Sequence, residues 1–182
     1  MKENYKNTCF KKIEEAEVYD VAIKSPLEFA KNLSKRLGNK IFLKREDLQP
    51  VFSFKLRGAY NKISKLIKAK KIKKLVAASA GNHAQGVALA AKKLSIKACI
   101  VMPKSTPEIK IEAVKSLKAE VILYGDSYDD AYDYALKKSK SSQIEFVHPY
   151  DDLDVIAGQG TIGIEIINQI ESKPDYIFVP VG

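Results

Sequence analysis

Long hydrophobic runs are missing from this sequence. No apolar stretch in its 182 residues reaches the length of a membrane span. Met1 to Lys12 is polar and lysine-rich with no apolar stretch after it, so no secretory signal is expected. Cysteine is scarce. Cys9 and Cys99 lie far apart, make no ligand pattern and read as ordinary thiols of a cytoplasmic protein. Histidine is limited to His83 and His148, with no second His, Cys or carboxylate at ligand spacing, so no metal site is expected. Of 31 basic residues only Arg36, Arg45 and Arg57 are arginine. The formal net charge of +9 invites a nucleic-acid partner. Base readout and bidentate phosphate recognition favour arginine, however, and no aromatic ladder interleaves with the lysines. Lys62, Lys65, Lys68, Lys70 and Lys71 fall where a helix would face water. Neither a nucleic-acid nor a membrane partner is therefore expected.

What is present suits a packed core: 46% hydrophobic and 29% charged residues, in a length fitting one domain or two small lobes. No internal repeat or low-complexity linker interrupts it. From Ile41 onward, β-rich runs alternate with helical stretches. Strands are expected at 41–44, 75–78, 97–102, 120–124, 145–147 and 176–181. Helices are expected at 54–69, 82–94, 107–117, 127–138 and 154–170. Leu56, Ala59, Tyr60, Ile63, Leu66 and Ile67 have helical spacing, and Ser127 with Asp130 reads as a capping box with Asp in place of Glu. A further helix, 26–37, should pack outside this unit. The alternation predicts an α/β fold, a parallel sheet with helices on both faces, which binds ligands at the carboxyl ends of its strands. Tyr176 to Val181 is buried-strand material, and a parallel strand normally runs on into a loop and a covering helix. The sequence stops at Gly182, so a truncated fold is expected, cut where a site would form.

Two segments carry candidate chemistry. Ser79-Ala80-Gly81-Asn82-His83 follows a strand and opens a helix. The first amides of a helix lack internal partners and its dipole favours an anion there, so the turn could hold a carboxylate or phosphate. An ordinary capped turn is the alternative, and His83 could simply line the first helical turn. The second segment centres on Lys55, between Phe54 and Leu56. An apolar setting disfavours the charged amine and lowers its pKa, and a neutral amine can form a Schiff base. An ordinary lysine at a helix start is the alternative.

Ser53-Phe54-Lys55-Leu56-Arg57-Gly58-Ala59 resembles the cofactor-attachment signature of the serine/threonine dehydratases, and Glu46 to Ala59 fits the whole of it. These are pyridoxal-phosphate enzymes with a tryptophan synthase β-like fold. Ser79 to Gly86 resembles the family's asparagine loop, Val155 to Thr161 a third block, and Phe178 to Gly182 the strand leading into its phosphate loop. The likeness runs from about Val18 to Gly182. Val51-Phe52 stands where degradative dehydratases and serine racemases usually have Thr-Gly, which favours the biosynthetic threonine dehydratases.

The resemblance implies pyridoxal 5'-phosphate as cofactor, bound covalently by Lys55. Asn82 would hydrogen-bond its phenolic oxygen, Phe54 would pack beside it, and Gly182 would open the phosphate loop. Ser79, Ala80, Gly81, Asn82 and His83 would grip the substrate carboxylate. Arg57 would pair with Glu46 or Asp47 in a structural role. The implied reaction converts L-threonine to 2-oxobutanoate and ammonia, the committed step toward isoleucine; L-serine is a second candidate substrate. The parent enzyme would be a homo-oligomer, a tetramer. Residues 1–47 and 151–182 would belong to its large domain and 48–150 to its small one, without the isoleucine-binding regulatory region. A chain so truncated is expected to be inactive, to retain cofactor weakly and to associate through an exposed sheet edge. The alternatives are a degradative dehydratase, a serine racemase, and a non-catalytic remnant or anion-binding module.

Overall fold

The computed structural model describes residues 2–140 and 143–180. The chain runs α1 (Lys2–Glu14), β1 (Leu27–Phe29), α2 (Lys31–Leu37), β2 (Phe42–Lys44), a 3-10 turn (Glu46–Leu48), α3 (Lys55–Ala69), β3 (Lys74–Ala78), α4 (Asn82–Lys93), β4 (Lys97–Met102), α5 (Glu108–Ser116), β5 (Glu120–Leu123), α6 (Tyr128–Ser139), β6 (Ile144–Phe146) and α7 (Leu153–Gln169).

Four strands form one parallel sheet in the order β5-β4-β3-β6. Side chains alternate across it as the pleat requires. Leu75 and Ala77 of β3 and Ala98, Ile100 and Met102 of β4 pack on one face with Ala59, Tyr60 and Ile63 of α3, Val87 and Ala88 of α4, and Val114 of α5. Val76, Ala78, Cys99 and Val101 pack on the other with Ala131 and Ala135 of α6. Both faces are covered, which is why β3 and β4 read as near-continuous apolar runs. Burying each larger side chain contributes roughly 1.5–3 kcal/mol.

Local signals place the helix ends. The expected capping box is present: Asp130 N donates to Ser127 Oγ at 3.1 Å, and Ser127 N donates to Asp130 Oδ2 at 3.0 Å. Asp152 caps α7, accepting from the amides of Asp154 and Val155. Lys62 and Lys65 are not simply solvated: Lys62 Nζ lies 2.7 Å from Asp152 Oδ2, and Lys65 Nζ lies 3.6 Å from Asp154 Oδ1. These pairs tie α3 to the start of α7.

Two expected elements are corrected. The helix at 26–37 is instead a strand, β1, followed by the shorter α2. β1 pairs antiparallel with β2. The Phe29 and Phe42 rings meet at 5.4 Å, and Ala30 N donates to Ile41 O at 2.8 Å. This non-local pairing overrides the helical pattern. The strand expected at 176–181 is not formed over 176–180. A strand needs a neighbour to satisfy its backbone groups, and the described sheets provide no pairing for this segment. Its Tyr176 and Phe178 are exposed. Val181 and Gly182, including the expected phosphate-loop glycine, lie outside the described residues. Among the described residues no helix is long and apolar enough to cross a membrane.

Candidate functional site

The carboxyl ends of the sheet gather the sequence-selected residues. β3 ends at Ala78, and its chain turns at once into α4. Ser79 N donates to Val101 O at 3.1 Å, and Gly81 N donates to Ser79 Oγ at 3.1 Å. No side chain caps α4. A Cβ built on Gly81 would meet nothing within 4 Å, so the approach to the helix start is open there. Asn82 is exposed at that opening. Uncapped amides and the helix dipole make this a setting suited to an anion.

Lys55 opens α3 beside it. A Cβ on Gly86 would lie 3.0 Å from the backbone of Lys55 and Leu56, so glycine lets α4 rest directly on the first turn of α3. The Lys55 ammonium donates to Pro149 O, in the loop after β6, at 3.3 Å. It stands 5.3 Å from the centre of the Phe54 ring. Burial lowers its pKa. Lys55 thus combines an amine shifted toward its neutral form with a place at the ligand-binding end of the sheet.

His83, in the first turn of α4, is buried. Its Nε2 lies 3.0 Å from Val147 O. Burial is the main reason its pKa falls to about 4; the nearby Lys55 and His148 side chains act the same way, against the pull of the Val147 carbonyl. The imidazole is therefore neutral near pH 7.

Behind Lys55 lies a buried ionic network whose full extent the sequence did not reveal. Arg57 is fully buried. Its Nε and Nη2 donate to Glu46 at 2.8 Å, and its Nη1 donates to Glu165 at 2.7 Å and to Thr161 Oγ1 at 3.0 Å. Lys44 Nζ donates to Glu165 at 2.5 Å, to Ser25 O at 2.6 Å and to Gln169 Oε1 at 2.8 Å. Burial works against the Glu165 charge, but Arg57 and Lys44 hold its carboxyl below the ordinary range. Of the two expected partners of Arg57, Glu46 is engaged, while Asp47 pairs with Arg45 instead. A readable signal for Glu165 existed: it is a lone carboxylate in the apolar stretch Ile162 to Ile167. Pro149 gave none, because it contributes a backbone oxygen.

The structure therefore brings Lys55, Phe54 and the loop Ser79–His83 to one end of the sheet. Among the described residues, no group of three or more His, Cys, Asp or Glu is placed to hold a metal ion.

Comparison with known proteins gives a consistent pattern. The family model for pyridoxal-phosphate dependent enzymes matches residues 18–182. The chloroplastic biosynthetic threonine dehydratase of Arabidopsis thaliana is 58% identical over 165 residues, covering 91% of this chain and 28% of that protein. The biosynthetic L-threonine dehydratase of Burkholderia multivorans is 53% identical over 175 residues, covering 94% of this chain and 34% of that protein. The processed form of threonine deaminase isoform 2 from Solanum lycopersicum superposes with a TM-score of 0.85 at 52% identity, covering 91% of this chain and 46% of that one. The chain thus spans about a third or less of the length of these two dehydratases.

Proposed function

The chain belongs to the family of pyridoxal-phosphate dependent enzymes, and from that premise we propose that Lys55 is its cofactor lysine and threonine deamination its parent reaction. The observation that carries this reading is the partly buried Lys55 amine, with its lowered pKa, beside the uncapped start of α4. An amine held toward its neutral form suits covalent attachment of an aldehyde. The residues present fit the cofactor on these grounds. Asn82 would hydrogen-bond the cofactor's phenolic oxygen, Phe54 would pack beside it, and Gly182 would begin the loop for its phosphate.

When bound, the cofactor supplies an electron sink for the charge left by removal of a proton from the substrate's α-carbon. This chain's residues supply the rest. The amides of the loop Ser79–His83 bind the substrate carboxylate through the partial positive charge of the helix start. This fixes the α-carbon relative to Lys55. Lys55 Nζ, once free, takes the α-proton as general base. The β-hydroxyl leaves as water, and hydrolysis gives 2-oxobutanoate and ammonia. L-threonine is the proposed substrate and L-serine the second candidate, in a cytoplasmic homo-oligomer, with 48–150 as the small domain. The two dehydratases whose names say biosynthetic support a place in isoleucine synthesis.

Borohydride reduction with pyridoxal phosphate, followed by peptide mapping, tests the assignment. The label is expected on Lys55; a label on another lysine overturns it. In the parent enzyme, Lys55→Ala is expected to lower turnover of threonine at least about a hundredfold. Serine racemisation in place of threonine deamination would overturn the reaction but leave the lysine assignment standing.

A further inference from the structure

The buried histidine of α4 is left without a chemical step. Its two nitrogens indicate a different role. A carbonyl oxygen can only accept, so the 3.0 Å contact with Val147 O places a proton on His83 Nε2. Nδ1 is buried and has no hydrogen-bond partner. Protonating it would bury both a charge and an unmatched donor. The geometry therefore selects the neutral ring with its proton on Nε2.

The bond joins two parts of the site. Val147 follows β6, and its own amide donates to Val76 O of β3 at 2.9 Å. Beyond it the chain turns sharply, with His148 Nδ1 accepting from Tyr150 N at 3.3 Å and from Asp151 N at 2.8 Å. Inside that turn lies Pro149, whose carbonyl accepts from Lys55. The loop that receives the lysine is thus fastened on one side to β3 and on the other to the first turn of α4.

We propose that His83 is a positioning residue for Lys55: by donating from Nε2 to the Val147 carbonyl, it fixes the loop whose Pro149 carbonyl receives the Lys55 amine. Its importance rests on the reading of Lys55 as the cofactor lysine, but the contact itself does not. His83 acts through its fixed donor, without exchanging protons. The charged or titratable neighbours that bear on its ring are Lys55, from α3, and His148, from the loop after β6; both oppose its protonation.

Two measurements on the cofactor-free protein test this. Nitrogen-15 NMR of the histidine rings should show His83 neutral with the proton on Nε2 at pH 7; an imidazolium, or a proton on Nδ1, overturns the proposal. Trace acetylation across a pH series, mapped by mass spectrometry with exposed Lys118 as reference, reads the ionisation of Lys55. In His83→Ala the loop loosens and water reaches the amine, so the Lys55 midpoint should rise by about half a pH unit or more. His83→Gln keeps an N–H donor and should return most of that shift. An unchanged midpoint in His83→Ala overturns the proposal, as does an equal shift in both variants, which would make ring packing the cause. Should His83→Ala fail to fold, the NMR result decides. Neither measurement uses cofactor or turnover, so a failed borohydride experiment would not imitate either outcome.

Discussion

At Arg57 a guanidinium with no exposed surface holds Glu46 and Glu165 together. Arg57→Met leaves two carboxylates with only the Lys44 ammonium nearby, and should destabilise the fold by about 3–5 kcal/mol, since the partners stay buried and uncompensated. Arg57→Lys keeps the charge without the fork and should fall between. Urea unfolding of the three proteins measures both. Phe52 presents the opposite case. Its φ of 56° is left-handed, and its side chain is 78% exposed. A bulky residue is strained there with little packing in return. Phe52→Gly should therefore unfold at the same or a higher urea concentration than the parent, whereas Phe52→Val should lose about 1–2 kcal/mol. Lys55 and the 79–83 loop, the proposed site residues, could be singled out in sequence because they sit in contiguous motifs. Glu165 and Lys44 were not singled out, because their partners lie 108 and 121 residues away along the pairs they form with Arg57 and with each other.

At the scale of elements, α3 and α7 cross with their backbones almost touching. A Cβ on Gly158 would lie 2.6 Å from Arg57 O and from Gly58 Cα. Those atoms are backbone and cannot rotate away. Gly158→Ala should force the helices apart and cost about 1–3 kcal/mol despite the better helix propensity of alanine. Thermal unfolding would show it as a lowered Tm, and an unchanged Tm would mean that the crossing yields easily. The α3 to α7 helices were readable from apolar spacing and end signals. The β1–β2 hairpin was not, because Leu27 to Leu37 has a helical pattern and only Phe42 to Lys44 makes its first part a strand. Tyr176 to Pro180 failed for the converse reason: its composition suits a strand, but composition does not supply a neighbour.

For the molecule as a whole, acid is the informative perturbation. His83 takes up its proton near pH 4 in the fold, but near 6.5 in an unfolded chain. Between those values the unfolded state binds more protons, so stability is present above about 6.5 and is lost as pH falls toward 4, by on the order of 3 kcal/mol. Glu165 and Asp154, both held below the ordinary carboxylate range, extend the loss to lower pH. Urea midpoints should therefore fall between pH 6.5 and 4.5 in the parent and stay nearly level across that interval in His83→Gln. A parent midpoint that is flat there would contradict the buried, neutral ring.

The buried ionic network also bears on inheritance. Arg57, Glu46, Glu165 and Lys44 come from three separate stretches of chain, and their two positive and two negative formal charges balance. A lone codon change at any of them breaks that balance and exposes its carrier to selection before a compensating change can arise. Descendant sequences should therefore keep all four or exchange several together, while the lysines on the outer surface drift one at a time.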